Sequence, residues 1–189
     1  MKADIIQEEK KSCRRQVSAM KAAMSDESRM EASVRIMHRI ETLPQFCTAE
    51  IILAYWSFGG EVHTHDLIRK WAGSKRIMLP SVNGDEMVIK QYEGERRMTA
   101  GDLYGIPEPE GTVFTALEKI DLIVVPGIAF DRNRNRMGRG KAYYDRFLTG
   151  TNAHKAGICF NFQLFDRIPA DSNDVRMDMV ITESELIGV

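Results

Sequence analysis

Apolar positions along the chain follow two rhythms, and the switches between them outline its elements. Residues 5–24 are rich in Glu, Lys, Arg, Met and Ala with few apolar positions, which predicts a helix with a thin buried stripe. Ser28 and Glu31 have the spacing of a capping box. Behind them Met30, Val34, Met37 and Ile40 recur at helical spacing until Pro44 ends the run. The methionines of this stripe read as gap-filling core.

From residue 50 the rhythm changes to short continuous apolar runs. EIILAYWSF at 50–58 reads as a buried strand ending at Gly59-Gly60, with a helix from Thr64 to Trp71 after it. RIMLPSV at 76–82 and EMVIKQY at 86–92 form a strand pair around an Asn83-Gly84 hairpin signal. Glycines and prolines mark GDLYGIPEPEGT at 101–112 as loop. DLIVVPG at 121–127 is the next strand, followed by a long loop and a helix to about Leu148; KAGICF at 155–160 and MDMVIT at 177–182 are the last strands. Unbroken apolar strands alternating with helices imply an α/β fold, a largely parallel sheet covered on both faces, with hairpin additions. No repeat, linker or low-complexity tract divides the chain, so residues 1–189 are expected to form one domain.

Charge narrows the partners. With 26 basic and 27 acidic side chains the protein has no overall field to draw it to nucleic acid or an anionic membrane, so any anion site must be local. No apolar run approaches the roughly 18 residues that span a bilayer, and MKADIIQEEKKSCRR lacks the apolar core of a secretory signal. Cys13, Cys47 and Cys159 are odd in number and far apart, which argues against a disulfide framework and a zinc site. The expected home is the reducing cytoplasm.

Local charge is concentrated at 132–141, where Arg132, Arg134, Arg136, Arg139 and Lys141 surround Gly138 and Gly140 between a buried strand and a helix. Glycine lets backbone N–H groups approach an anion closely, and Arg forks with Lys supply most of the attraction, so a polyphosphate is the natural ligand. The spacing matches neither common dinucleotide nor P-loop fingerprints. Asp145, one turn after Lys141, reads as a magnesium ligand beside the phosphates or as an exposed partner of Lys141. Asp178, a charge inside apolar MDMVIT, is the candidate second carboxylate, and Asp174 the weaker one. Glu61 follows a strand end and can grip a polar ligand; Tyr55, Trp56 and Phe58 fit an aromatic wall or the core equally well. His63 and His65 read as surface residues near a helix cap, without a third ligand to make a metal site.

The run VPGIAFDRNRNRMGRGKAYYDRFL at 125–148 resembles the signature of the 5-formyltetrahydrofolate cyclo-ligases. KKSCRR near the N-terminus, GGEVHT around Glu61, YGIPEP at 104–109 and NDVRMDMVIT at 173–182 extend the resemblance over almost the whole chain. It implies a three-layer α/β/α fold of the ribose-phosphate isomerase and CoA-transferase type. It also implies an activity, the conversion of 5-formyltetrahydrofolate with ATP and magnesium to 5,10-methenyltetrahydrofolate, ADP and phosphate. The same resemblance assigns Lys10 and Arg14, with Arg136, Met137, Gly138, Arg139, Gly140, Lys141, Ala142, Tyr143 and Tyr144, to ATP. Trp56 and Glu61, with the run from Arg139 to Tyr143, would face the folate; Asp145 and Asp178 would hold magnesium. Arg139, Lys141 and Tyr143 would be catalytic. Three positions depart from the pattern: Arg134 and Ala142 stand where the family commonly has glycine, and Asn173 where it often has histidine. The turn at Arg134 is then expected to lean on Asn133 or Asn135, which tolerate left-handed geometry. The rivals are a phosphosugar or nucleotide enzyme on the same fold, and a nucleic-acid-binding module using the 132–141 loop.

Overall fold

The computed structural model describes residues 2–84, 86–101 and 105–188, with side chains from residue 5 onward. Asp102, Leu103 and Tyr104, part of the expected 101–112 loop and of the YGIPEP motif, lie outside the described residues.

Strong helix formers at the start give α1 (Lys2–Ala23). Its buried Val17 packs on Ala129, Met137 and Ile168. The second helix, α2 (Asp26–Glu41), starts earlier than the capping-box spacing predicts. Ser25 is the cap, its hydroxyl accepting from the Ser28 N–H at 3.2 Å, while Glu31 lies 4.0 Å from Arg35. The buried stripe accordingly runs through Ser33, Ile36, Met37 and Ile40, and Met30 and Val34 face solvent. Two of the four predicted stripe positions are therefore on the wrong side.

After α3 (Pro44–Thr48) come β1 (Ile51–Leu53), α4 (His65–Trp71), β2 (Arg76–Asn83) and β3 (Glu86–Gln91), then the short strands β4 (Met98–Ala100) and β5 (Pro107–Pro109). The chain continues as β6 (Leu122–Pro126), β7 (Ala129–Asp131), β8 (Arg136–Met137), α5 (Tyr143–Thr149), β9 (His154–Ile158), β10 (Leu164–Phe165), β11 (Met179–Ile181) and β12 (Leu186–Ile187). Seven strands form the main sheet in the order β12-β11-β9-β6-β1-β2-β3. The five inner strands are parallel, and β3 and β12 add antiparallel edges.

The unbroken apolar runs have the expected cause. Ile52, Ile77, Leu122, Val124, Ala156 and Ile181 face α2, α3 and α4, packing on Ile36, Ile40, Phe46 and Ile68. Their neighbours Leu53, Met78, Ile123, Val125 and Val180 face the other way, onto Leu148 of α5 and Phe130 of β7. A strand buried on both faces needs no polar alternation. Phe130 lies so close to β9 that a Cβ at Gly157 would sit 2.4 Å from its ring, which requires glycine there.

Two expected loops contain strands. Within 101–112, β5 pairs antiparallel with β4. The long segment after β6 folds back as a hairpin, β7–β8, joined by β10 into a three-stranded sheet. Conversely, the predicted strand at 50–58 leaves the ladder early: the Ala54 N–H still bonds the Met78 carbonyl at 2.9 Å, and the chain then turns away. Among the described residues no helix is long and apolar enough to cross a membrane.

Candidate active site

Strand order places the site. From β1 the sheet grows one way through β2 and β3 and the other way through β6, β9 and β11, so β1 and β6 flank the point where the winding reverses. Ligands of open α/β sheets bind outside the carboxyl ends of strands at such a point. A pocket opens there, with Tyr55 and Trp56 just after β1 and Pro126 and Gly127 at the end of β6. The β2–β3 hairpin contributes Pro80, Val82 and Met87, and the segment from Arg136 to Asp145 closes the remaining side.

The wall after β1 is rigid. The Tyr55 hydroxyl is buried and donates to the Val62 carbonyl at 3.1 Å. The Trp56 ring stacks with His65, at 3.8 Å and 16°, and also with Tyr92, at 5.8 Å and 25°. His65 is thus not a surface residue: its Nε2 bonds the Ser57 carbonyl at 3.0 Å, which fixes that nitrogen as the donor. Burial first, and then the neighbouring His63, push the His65 pKa down to about 4, so the ring behind Trp56 is neutral at ordinary pH. Among the described residues no three His, Cys, Asp or Glu side chains cluster to hold a metal ion, these histidines included.

Glu61 points into the pocket. One carboxylate oxygen accepts from the Phe58 N–H at 3.2 Å, and the other from Arg139 at 2.8 Å. Arg139 reaches it across the mouth, with its guanidinium 4.3 Å from the centre of the Phe58 ring. The two residues assigned to folate and phosphate therefore hold each other.

The basic run divides in two. Arg136, Arg139 and Lys141 line the pocket, whereas Arg132 pairs with Glu185 at 2.9 Å and Arg134 donates to the Asp178 carbonyl at 3.0 Å. Five cations gathered into one exposed face would have suited a nucleic acid; three converging in a cleft suit a compact anion. Arg136 is 4 % exposed, with a 2.8 Å ion pair to Asp145, and it lies over the Tyr144 ring. Its Nε and the Tyr144 hydroxyl are buried without a hydrogen-bond partner among the described residues, leaving two unmet donors beside the pocket. Burial raises the Tyr144 pKa, keeping that hydroxyl protonated. Tyr143 donates to the Gly84 carbonyl at 3.2 Å and ties the loop to the β2–β3 hairpin. Gly138 lines the pocket and its carbonyl accepts from the Arg14 Nε at 3.0 Å, whereas Met137 is buried against Val17, Ala129 and Ile168, and Gly140 does not line the pocket.

Left-handed backbone falls on Arg134 itself, at φ 66°, and on Ala142, at φ 56°. The expected lean on Asn133 or Asn135 does not occur. Instead Asp131, fully buried, accepts from the Asn133 and Asn135 N–H groups at 2.9 Å and from the Ile168 N–H at 3.1 Å. That carboxylate fixes the turn so firmly that Arg134 must take the strained conformation. The sequence reading missed Asp131, although an Asp two residues before Asn is an Asx-turn signal. It also missed Glu108, a pocket carboxylate accepting from the Val82 N–H at 3.1 Å.

The acidic residues part company. The Asp145 carboxylate lines the pocket and accepts from the Val175 N–H at 3.4 Å, one residue along the chain from Asp174, whose own carboxylate is held by Lys10 and by the Asp171 N–H. Asp178 is elsewhere: it accepts from the Lys155 N–H at 2.8 Å, beside the amino ends of β9 and β11. In register it is level with Ile123, three residues or about 10 Å back from the mouth at Pro126. The structure does not join Asp178 to Asp145. Lys10 lies beside Asp174 instead, bonded to Asp171 at 2.7 Å and to Asp174 at 2.6 Å. Burial works against the Lys10 charge, but the two carboxylates outweigh it and raise its pKa, while Lys10 lowers that of Asp171.

Comparison with known proteins agrees with this geometry. The family described as 5-formyltetrahydrofolate cyclo-ligase matches residues 6–183. A 5-formyltetrahydrofolate cyclo-ligase of Escherichia coli K12 is 27% identical over 87% of this chain and 94% of its own length. The mouse protein of that name is 27% identical over 97% and 98%. Among solved structures, a 5,10-methenyltetrahydrofolate synthetase from Aquifex aeolicus superposes with a TM-score of 0.86 at 32% identity, covering 95% of this chain and 92% of that one.

Proposed function

The chain belongs to the 5-formyltetrahydrofolate cyclo-ligase family, and from that premise we propose how its pocket performs the family's reaction. The protein catalyses closure of 5-formyltetrahydrofolate to 5,10-methenyltetrahydrofolate, using ATP and magnesium. The observation that carries the assignment of roles is the position of the pocket. It lies at the winding reversal of the sheet, with an aromatic wall and Glu61 on one side and three converging cations on the other.

A formamide carbonyl is a poor electrophile, and its oxygen a poor leaving group. Attack of that oxygen on the ATP γ-phosphorus releases ADP and turns the oxygen into part of a phosphate ester. The side-arm nitrogen then attacks the formyl carbon and loses its proton, and the C–O bond breaks to release phosphate. The protein mainly positions and neutralises. Trp56, held flat by His65 and Tyr92, supports the pterin ring, and Glu61 accepts its N–H groups. Arg139 and Lys141 offset charge on the phosphoryl oxygens, with the unmet donors of Arg136 and Tyr144 in reach of the same anion. Tyr143 holds the loop against the hairpin. Met137, Gly138, Gly140 and Ala142 supply backbone along the nucleotide, and Lys10 and Arg14 approach it from α1.

The fit to magnesium rests on the donor set: Asp145 lines the pocket and would be the first carboxylate, and Asp174, next in the chain to its backbone partner Val175, would be the nearer second one, because Asp178 stands at the amino ends of β9 and β11. Bound there with phosphate oxygens, the ion would neutralise polyphosphate charge. Helices α2–α4 on one face of the sheet, and α5 with the small sheet on the other, support the three-layer α/β/α reading of the ribose-phosphate isomerase and CoA-transferase type. Residues 1–189 are taken as one such domain. The three cysteines, all unpaired, suit a reducing cytoplasm.

Oxygen labelling tests the chemistry. Substrate carrying ¹⁸O in the formyl group should deliver that label to the released phosphate. Label appearing in water and not in phosphate would contradict phosphorylation of the formyl oxygen.

A further inference from the structure

Glu61 and Arg139 serve different substrates in the proposed reaction, yet the structure pairs them. Both carboxylate oxygens of Glu61 are taken, one by the Phe58 N–H at 3.2 Å and the other by an Arg139 terminal nitrogen at 2.8 Å. The same guanidinium lies over the Phe58 ring, 4.3 Å from its centre.

The other pocket cations are placed differently. Arg136 is buried and bound to Asp145 at 2.8 Å, and Lys141 is exposed. Among the described residues, Arg139 is thus the pocket cation held by a carboxylate that the folate needs. It is also placed to move. Its side chain is 38% exposed, and Gly138 and Gly140 flank it, the latter at φ +99°, a conformation glycine takes freely.

The guanidinium occupies the place of a pterin edge. The pyrimidine end of a pterin is planar and presents an amino group beside a ring N–H, parallel donors of the kind that a guanidinium presents to a carboxylate. Phe58 offers its face to either group. Because the Phe58 N–H pins the carboxylate, pterin and Arg139 compete for one position on it. Resting on the folate reading of the pocket, we propose that Arg139 is an intramolecular stand-in for the pterin. It is a latch that keeps a phosphate-binding charge on Glu61 until 5-formyltetrahydrofolate displaces it. The pterin then takes Glu61, Arg139 turns to the polyphosphate, and each substrate raises the affinity for the other.

The test separates binding from turnover. The analogue β,γ-imido-ATP, which cannot pass on its γ-phosphoryl group, is titrated with magnesium into the full chain by calorimetry, with and without saturating 5-formyltetrahydrofolate. The folate should tighten the analogue by about fivefold, and the analogue should tighten the folate by the same factor, as linkage requires. Glu61→Gln keeps the side chain's shape and removes its charge. It should weaken folate binding, yet without folate it should bind the analogue about fivefold more tightly than the parent does, and the coupling should vanish. Loss of a merely structural residue would weaken both ligands. Arg139→Ala should abolish the coupling too, and it decides alone if Glu61→Gln does not fold. Independent binding of the two ligands in the parent, coupling retained in Arg139→Ala, or no gain in analogue affinity in Glu61→Gln would overturn the latch. That gain needs neither folate nor turnover, so failure of ring closure would remove the folate reading without being confused with failure of the latch.

Discussion

At the scale of single residues the pocket is a set of internal pairings that a ligand must exchange. Arg139 holds Glu61, and Lys10 holds Asp174. The Arg139 side chain is 38% exposed and that of Glu61 only 12%, so the pair is partly screened, and phosphate can take Arg139 once the pterin N–H groups satisfy Glu61. Arg139→Ala should therefore leave the melting temperature nearly unchanged while lowering kcat by about a hundredfold or more, the usual scale for losing a donor to developing charge. A variant with parental kcat would remove Arg139 from the chemistry. His65 gives a pH signature. Its folded pKa of about 4 lies below the ordinary 6.5, so the unfolded chain takes up the proton first as pH falls. Its contribution to stability is complete above pH 6.5 and is lost toward pH 4. Urea unfolding at pH 7 and pH 5 should show a lower midpoint at pH 5, and His65→Gln should flatten that difference. An unchanged slope in the variant would contradict the buried, neutral ring.

At the scale of elements, α5 and β8 are bound by one buried pair, Arg136 with Asp145. Removing one partner strands a charge, which costs about 3–5 kcal/mol, so Asp145→Ala should unfold at clearly lower urea besides losing magnesium-dependent activity. Full stability in that variant would mean Arg136 finds another partner. Strands of five or more residues were legible in the sequence: β2, β3, β6 and β9 stand close to where their β-rich runs and the hairpin signal put them. What escaped was short or set by tertiary contact. β7, β8 and β10 have two or three residues each, below the length at which any period shows. The α2 cap moved because Ser25 and Ser28 are both capping residues, and packing of Ile36 and Ile40 chose between them.

At the scale of the whole molecule, the winding reversal between β1 and β6 creates the cleft, and every other feature furnishes it. The basic loop, Trp56 and Glu61 were readable because their residue types are specific to the chemistry and the resemblance is long. Glu108 was not, since a carboxylate satisfied by a backbone N–H looks in sequence like any surface acid, and Asp131 showed only the Asx-turn spacing to Asn133. Asp178 stands apart from Asp145 for a physical reason: a charge inside an apolar strand motif implies a partner, and its partners are the Lys155 N–H and, at 4.0 Å, the Lys155 ammonium, at the amino ends of the strands. Ala142 and Arg134 hold left-handed backbone that glycine takes freely, a strain of about 1 kcal/mol each that the loop carries without losing its shape. All of these residue roles serve one reaction. The protein mixed with 5-formyltetrahydrofolate, ATP and magnesium should produce the near-ultraviolet absorbance of the conjugated methenyl product, and omission of either ATP or magnesium should abolish it. A folded protein that binds ATP yet forms no such band in the complete mixture would contradict the central claim.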